Sequence, residues 1–258
     1  MNNDLNFHEY GKIYDAIYKG KNYKEESRYI NEWIQLLNPN AKNILDLGAG
    51  TGRHCKSLGG FGYNVFGVEK SPQMVAVAKK RCQKDNISII QGDITSFQIE
   101  SFFEIVISLF HVMSYQTQND EFSNVLKNAN KHLVSGGYFI FDSWYAPAVF
   151  NLKPEKRKIN FETTKYKGVR SSTPFHHVNK NIVDVKYEIT LKNKQTNIQT
   201  SFTENHSMRY FSIPEISYFA DCFGFNLIDT EEFLTKKEPS MNTWGVCFIL
   251  EKVKEIYE

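Results

Sequence analysis

The residues with the clearest chemical potential lie in Ile44-Leu45-Asp46-Leu47-Gly48-Ala49-Gly50-Thr51-Gly52. Glycines let a backbone approach a ligand closely and adopt dihedrals barred to other residues. A dinucleotide-binding loop needs Gly or Ala at the last position of G-x-G-x-x-G, and Arg53 stands there. The acids that follow suggest other chemistry. Glu69 ends the next predicted strand, where a carboxylate accepts both hydroxyls of a ribose. Asp93, in Gly92-Asp93-Ile94 after the third strand, can take the exocyclic amine of an adenine. Asp46, just ahead of the glycines, can bond loop amides or an ammonium. A ligand with an ammonium, a ribose and an adenine, and no required phosphate, satisfies all three. The competing reading is a doubly wound sheet whose acids merely cap helices. Three acids at three successive strand ends, at the crevice where such sheets bind ligands, argue against it.

S-adenosylmethionine fits that description. Methyl transfer from a sulfonium is an in-line displacement from an already activated donor, so a protein mainly has to align the partners and exclude water. An amine acceptor must be neutral to attack, and a hydroxyl needs a base more acutely. Histidine is the natural base near neutral pH. His111 follows the fourth predicted strand, next to the expected methyl position, and competes with a reading as a hydrogen-bonded core residue. His176 and His177 are adjacent and face opposite ways if extended, so at most one enters a cleft. His206, in a later strand, is a further candidate, or a solvated strand residue. Arg170 has the planar fork that suits a substrate phosphate, or is an exposed loop cation. Trp144 and Tyr145 can stack on a sugar or base, or simply roof the sheet.

The elements that must position these groups follow from periodicity. Apolar and aromatic residues at three- and four-residue spacing predict helix over residues 8–37, interrupted at Gly20-Lys21-Asn22 and ended near Pro39. From residue 43 strands and helices alternate. Strands are predicted at 43–47, 64–69, 87–91, 103–109 and 138–142. Helices are predicted at 53–58, at 71–83 with Ser71 as cap and Pro72 at its first position, and at 121–133, closed by Gly136-Gly137. Strands joined by helices imply a parallel sheet with right-handed crossovers. Beyond Pro154, β-type runs at 159–166, 181–191 and 199–210 read as inserted antiparallel strands, with Lys192-Asn193-Lys194-Gln195 as a hairpin turn. A helix at 214–222 and strands at 225–233 and 244–251 close the chain. The fold class is α/β, with residues 1–158 and 212–258 forming one domain around a β-rich insertion at 159–211.

Asp46-Leu47-Gly48-Ala49-Gly50-Thr51-Gly52, Glu69 and Gly92-Asp93 together resemble the successive motifs of class I S-adenosylmethionine-dependent methyltransferases. The resemblance implies a Rossmann-like sheet of seven strands with the last inserted antiparallel. It implies cofactor contacts from Asp46, Gly48, Ala49, Gly50, Gly52, Glu69, Lys70, Met74, Gly92, Asp93, Ile94 and Leu109. Three further segments resemble the sugar-nucleotide N,N-dimethyltransferases of desosamine and mycaminose biosynthesis. These are Tyr14-Asp15-Ala16-Ile17-Tyr18-Lys19-Gly20-Lys21-Asn22-Tyr23, Ser108-Leu109-Phe110-His111-Val112-Met113-Ser114-Tyr115, and Asp142-Ser143-Trp144-Tyr145-Ala146-Pro147-Ala148-Val149-Phe150. Asp142-Ser143 departs from that family's usual Glu-Pro before the Trp. The resemblance implies that Tyr18 and Tyr23 close over the cofactor and that Tyr14 faces the acceptor; a core stripe of tyrosines is the alternative. His111, Tyr14 and His177 are the expected catalytic groups, and Tyr14, Trp144, Tyr145, Arg170 and His176 the expected substrate contacts. The insertion would hold a sugar nucleotide and share in a homodimer interface.

Composition sets outer bounds. The 258 residues suit one large domain with an insertion, and 41% hydrophobic with 23% charged residues is globular. A net charge of +2 gives no reason to expect nucleic acid. No window is apolar enough to span a membrane, and Met1-Asn2-Asn3-Asp4 is unlike a signal peptide, so a cytoplasmic protein is expected. Cys55, Cys82, Cys222 and Cys247 form no CxxC pair, so buried free thiols are expected and no metal or disulfide framework. Phe110-His111-Val112-Met113 stands where nucleic-acid amine methyltransferases carry an Asn-Pro-Pro-Tyr-type segment. Another small metabolite or an RNA base as acceptor, a non-catalytic cofactor-binding regulator, and a NAD-linked oxidoreductase remain the alternatives.

Overall fold

The computed structural model describes residues 10–256; positions 8 and 9 of the first predicted helix lie outside the described residues. The alternating segments form five parallel strands: β1 (Asn43–Leu47), β2 (Asn64–Glu69), β3 (Ile87–Gln91), β4 (Phe103–Ser108) and β5 (Leu133–Tyr145). The sheet continues from β5 into β11 (Gly245–Lys252), antiparallel to it, and then β10 (Phe225–Glu232), antiparallel to β11. The order β3-β2-β1-β4-β5-β11-β10 is therefore the expected seven-stranded sheet with one reversed strand, β11.

Successive residues along each strand go to opposite faces, and both faces are buried. Ile44, Ile105 and Ile140 pack with Ile30 and Ile34 on one side. Leu45, Val106, Phe139 and Phe141 pack with Phe122 and Phe248 on the other. Each fully buried Phe or Ile contributes about 1.5–3 kcal/mol. Helices α2 (Tyr23–Leu37), α3 (Arg53–Gly60), α4 (Pro72–Arg81) and α5 (Asn119–His132) cover these faces. Ser71 caps α4 by accepting from the Met74 amide at 3.3 Å, with Pro72 in the first turn.

Four segments differ from the sequence expectation. The first helix is short, α1 (Tyr14–Ile17), preceded by a 3-10 turn at Tyr10–Lys12; Asn22 then caps α2. Strand β5 starts directly after α5, so Gly136-Gly137 does not close the helix. Phe103 pairs with Leu133 but Ile105 with Tyr138, so the residues between bulge out of the ladder, with Gly136 at φ 71°. Helix α6 (Ala146–Leu152) follows β5, where no helix was expected. The insertion holds four strands instead of three: β6 (Arg157–Glu162), β7 (Tyr166–His177), β8 (Ile182–Asn193) and β9 (Gln199–Phe211). Strand β7 escapes sequence detection because its inward positions include Arg170 and Ser172 where apolar residues would signal a strand. Its Pro174 lies past the end of the pairing with β6, on an edge where no amide is needed.

The second sheet attaches to the first where Trp144 and Tyr145 of β5 pair parallel with Tyr210 and Phe211 of β9. Helix α7 (Ile213–Cys222), with a capping box from Ser212 and Glu215, returns the chain to β10. The cysteines are free. Cys55, Cys82 and Cys247 are buried, whereas Cys222, on the outer face of α7, is exposed, contrary to expectation. Among the described residues no helix is long and apolar enough to cross a membrane.

Candidate active site

A cavity of about 710 Å³ runs from the β1–α3 loop to the inner face of the insertion sheet. Gly48, Gly50 and Gly52 all have positive φ, which accounts for glycine at each. Their roles differ. A Cβ on Gly50 would meet nothing nearer than 4.0 Å and would project into open space. A Cβ on Gly48 would strike Val112 at 2.6 Å, and one on Gly52 would strike Cys82 Sγ at 2.9 Å. Gly48 and Gly50 thus line the cavity, while Gly52 lets α3 and α4 pack closely.

Glu69 is buried at the cavity wall, its carboxylate accepting from the Gly50 amide at 2.9 Å and the Ser71 amide at 2.8 Å. Burial raises its pKa despite these bonds. Asp93 accepts from the Thr95 amide at 2.9 Å and from the Thr95 hydroxyl at 2.7 Å, and pairs with Lys70 at 3.1 Å. Partial burial opposes ionisation, but the Thr95 and Lys70 contacts hold its carboxyl below the usual range. Met74, Ile94 and Leu109 supply apolar wall beside the acids. Asp46 does not reach the cavity. It is 1% exposed, sits beneath the loop and accepts from Cys55 Sγ at 3.1 Å. Gly92 and Gly52 also lie outside the lining.

The N-terminal turn is tied across this loop. Asp15 accepts from the Thr51 hydroxyl at 2.9 Å and Arg53 Nε at 2.8 Å, and Arg81 pairs with it too. That attachment brings Tyr14, Tyr18 and Tyr23 onto the cavity wall. The Tyr23 hydroxyl is buried without a hydrogen-bond partner, and such a group is costly unless a ligand satisfies it. An open glycine edge, two acids at strand ends and an orphaned hydroxyl on one surface fit a nucleoside bearing an amino acid.

At the C-terminal end of β4 the backbone turns through two consecutive left-handed residues, Phe110 at φ 69° and His111 at φ 61°. Such strain costs on the order of 1–3 kcal/mol per residue. Asp142 of β5 holds it: both carboxylate oxygens accept from the His111 amide at 3.2 Å, and Oδ2 is 2.7 Å from His111 Nδ1. Asp142 is 1% exposed. Burial opposes its charge, yet the His111 contacts keep its pKa below the ordinary value. The imidazole that this carboxylate orients forms part of the cavity wall.

Arg170 is 6% exposed on β7, on the inner face of the insertion. Its Nη1 donates to the Tyr10 hydroxyl at 2.5 Å and the Tyr18 hydroxyl at 3.0 Å, and its guanidinium stacks 4.6 Å from the Tyr187 ring centre. Its Nε has no partner. Trp144 also lines the cavity, 5.5 Å from Trp244.

Three further expected site residues lie elsewhere. Tyr145 packs on the hydrophobic core beside Phe211. His176 bonds the Tyr210 hydroxyl at 2.9 Å, and His177 pairs with Asp184 at 2.7 Å; none of the three lines the cavity. His206 departs from its expectation as a solvated residue, being fully buried between the Tyr10 and Tyr187 rings. Sequence reading missed Asp142 as a partner of His111, Asp15 as the tether and Tyr115 as part of the wall. Asp142 carried a signal, since it departs from the Glu-Pro usual at its place. Pairing with His111 requires β4 and β5 to be neighbours, which spacing alone does not give.

Residues 44–137 match a family model described as a methyltransferase domain. With its seven-stranded order and the loop, Glu69 and Asp93 on one cavity, the chain carries a class I S-adenosylmethionine-dependent methyltransferase domain. It is 28% identical over 144 residues to dTDP-3-amino-3,4,6-trideoxy-alpha-D-glucopyranose N,N-dimethyltransferase of Streptomyces venezuelae, covering 55% of this chain. The chain spans about 60% of the length of that curated relative. The fold is shared with Streptomyces venezuelae DesVI, at TM-score 0.78 and 20% identity over 94% of this chain and 98% of the other. It is also shared with CalS10, an amino pentose methyltransferase from Micromonospora echinaspora solved with S-adenosylmethionine bound. There the TM-score is 0.74 and identity 19%, over 98% of this chain and 100% of the other.

Proposed function

We propose that this protein methylates an amino group, or a hydroxyl, of a nucleotide-linked sugar. The observation that carries this reading is the single cavity joining the cofactor loop to Arg170 on the insertion sheet. A buried guanidinium with no carboxylate within 4.0 Å among the described residues suits a diphosphate. The substrates named for the similar dimethyltransferase and for CalS10 support the sugar assignment.

When bound, S-adenosylmethionine supplies a methyl group on a sulfonium. In this reading Glu69 holds the ribose hydroxyls and Asp93 the adenine amine. Asp46 braces the loop from beneath, and Tyr18 and Tyr23 close over the bound donor. Tyr14 faces the acceptor and Trp144 stacks on it. His111, fixed by Asp142, takes a proton from the acceptor. Excluding water and aligning the reacting atoms supplies most of the acceleration. Residues 1–158 and 212–258 bind the donor; residues 159–211 bind the acceptor and contribute to a homodimer.

Arg170→Ala tests the nucleotide assignment. KM for a dTDP-linked amino sugar should rise about tenfold or more, while KM for the same sugar without its nucleotide stays unchanged. An equal effect on both, or transfer to neither by the unaltered protein, contradicts the reading.

A further inference from the structure

The inner face of the insertion sheet carries two arginines at different depths. Strands β6 and β7 pair antiparallel, with Arg157 opposite Ser172 and Ile159 opposite Arg170. Directly opposite residues share a face, and the two-residue period carries that face along each strand. Arg157 and Arg170 are therefore diagonal neighbours on one face, about 7–8 Å apart, a span that long side chains bridge. Both line the cavity, as does Ser172 beside them. Ser172 is buried and donates its hydroxyl to the Arg157 carbonyl at 3.3 Å. Tyr187 stands opposite Ser172 on β8, and the Arg170 guanidinium stacks on its ring. Arg170 is thus held against the cross-strand row to which Arg157 belongs.

The two arginines differ in surroundings. Arg170 is buried, and its Nε has no hydrogen-bond partner. Its Nη1 bonds the Tyr18 hydroxyl, on the N-terminal turn that Asp15 ties across the glycine loop. Arg157 is exposed at the cavity rim, where residues 153–158 carry four cations and one acid, Glu155. No carboxylate lies within 4.0 Å of either guanidinium among the described residues. Two such guanidiniums side by side suit two linked phosphates, each offering its planar fork to one of them. The surplus of positive charge at the rim attracts an anion to the same place.

We propose that the acceptor lies across β6 and β7 in one direction, with its sugar-side phosphate on Arg170, its nucleoside-side phosphate on Arg157 and its nucleoside at the rim. This rests on the reading of the acceptor as a nucleotide-linked sugar. The sugar then extends from Arg170 toward the glycine loop, and the nucleoside occupies the open end. Salt screens the exposed Arg157 and screens the buried Arg170 much less, so ionic strength separates the two contributions.

Calorimetry on protein saturated with S-adenosylhomocysteine tests this without turnover. The two ligands are dTDP-3-amino-3,4,6-trideoxyglucose and 3-amino-3,4,6-trideoxyglucose 1-phosphate, which has only the phosphate assigned to Arg170. At low ionic strength Arg157→Gln should weaken the dTDP-linked sugar about tenfold and leave the sugar 1-phosphate within about twofold. Added salt should close most of that gap. Arg170→Gln should weaken both ligands at either ionic strength. Arg157 is exposed, so Arg157→Gln should keep the parent's unfolding temperature. An Arg157→Gln effect equal on the two ligands, or below about twofold on both, overturns the proposal and leaves the nucleotide-sugar reading in place. If the unaltered protein binds neither ligand, that reading fails and the proposed direction with it.

Discussion

Asp142 and His111 show how much rests on one buried pair. Asp142→Asn removes the charge that steadies a histidine in a strained turn. We expect kcat to fall about 10²-fold, within the usual range for general-base catalysis, with donor affinity kept. The pH dependence has a definite sign. The folded pKa of Asp142 is depressed, so its contribution is present above the ordinary aspartate value of about 3.9 and is lost as pH falls through the lower folded value. The stability gap between parent and Asp142→Asn, read by urea titration, should be open at pH 7 and narrow as pH falls below the ordinary aspartate value of about 3.9. The buried histidines act at higher pH. His132 and His206 have lowered pKa values, chiefly from burial. Their unfolded forms take up protons first, so stability should decline as pH falls through about 6.5. A stability flat from pH 7 to 5 would contradict this. At this scale the placing of Glu69 and Asp93 on the cavity wall was legible, because both stand at strand ends beside the glycine loop. His206 was not, because its burial depends on which strand lies above it.

Among the elements, the short N-terminal turn and α3 act together through Asp15. Asp15→Ala releases the contacts to Thr51, Arg53 and Arg81. It should weaken S-adenosylhomocysteine binding about tenfold in calorimetry while costing global stability no more than about 1 kcal/mol, as expected of a partly exposed ion pair. Gly52→Ala should behave oppositely. It places a Cβ 2.9 Å from Cys82 Sγ at φ 74°, so a stability loss of about 1–3 kcal/mol is expected from overpacking and strain. The strands β1, β2 and β3 were read to the residue because turn signals bound short buried runs. β7 was hidden because cavity-facing Arg170 and Ser172 break its hydrophobic rhythm, and α6 because seven residues are too few to show a helical period. Four inserted strands could be told from three only by pairing.

For the whole molecule, the cavity joins the glycine-loop half, recognisable from sequence, to an insertion sheet with little sequence signature. Because the cavity wall draws on both sheets and the N-terminal turn, donor binding should stabilise the protein as a unit. S-adenosylhomocysteine at a hundred times its dissociation constant should add about 2.7 kcal/mol to unfolding, seen as a single shifted transition. Two transitions, with only one moved, would mean that the sheets unfold separately.

The most direct measurement is mass spectrometry of dTDP-3-amino-3,4,6-trideoxyglucose after incubation with the purified protein and methyl-deuterated S-adenosylmethionine. Labelled methyl should appear on the sugar nitrogen, with one S-adenosylhomocysteine formed per methyl. Donor consumed with label on a different acceptor, or none transferred to any nucleotide-linked amino sugar, would contradict the account.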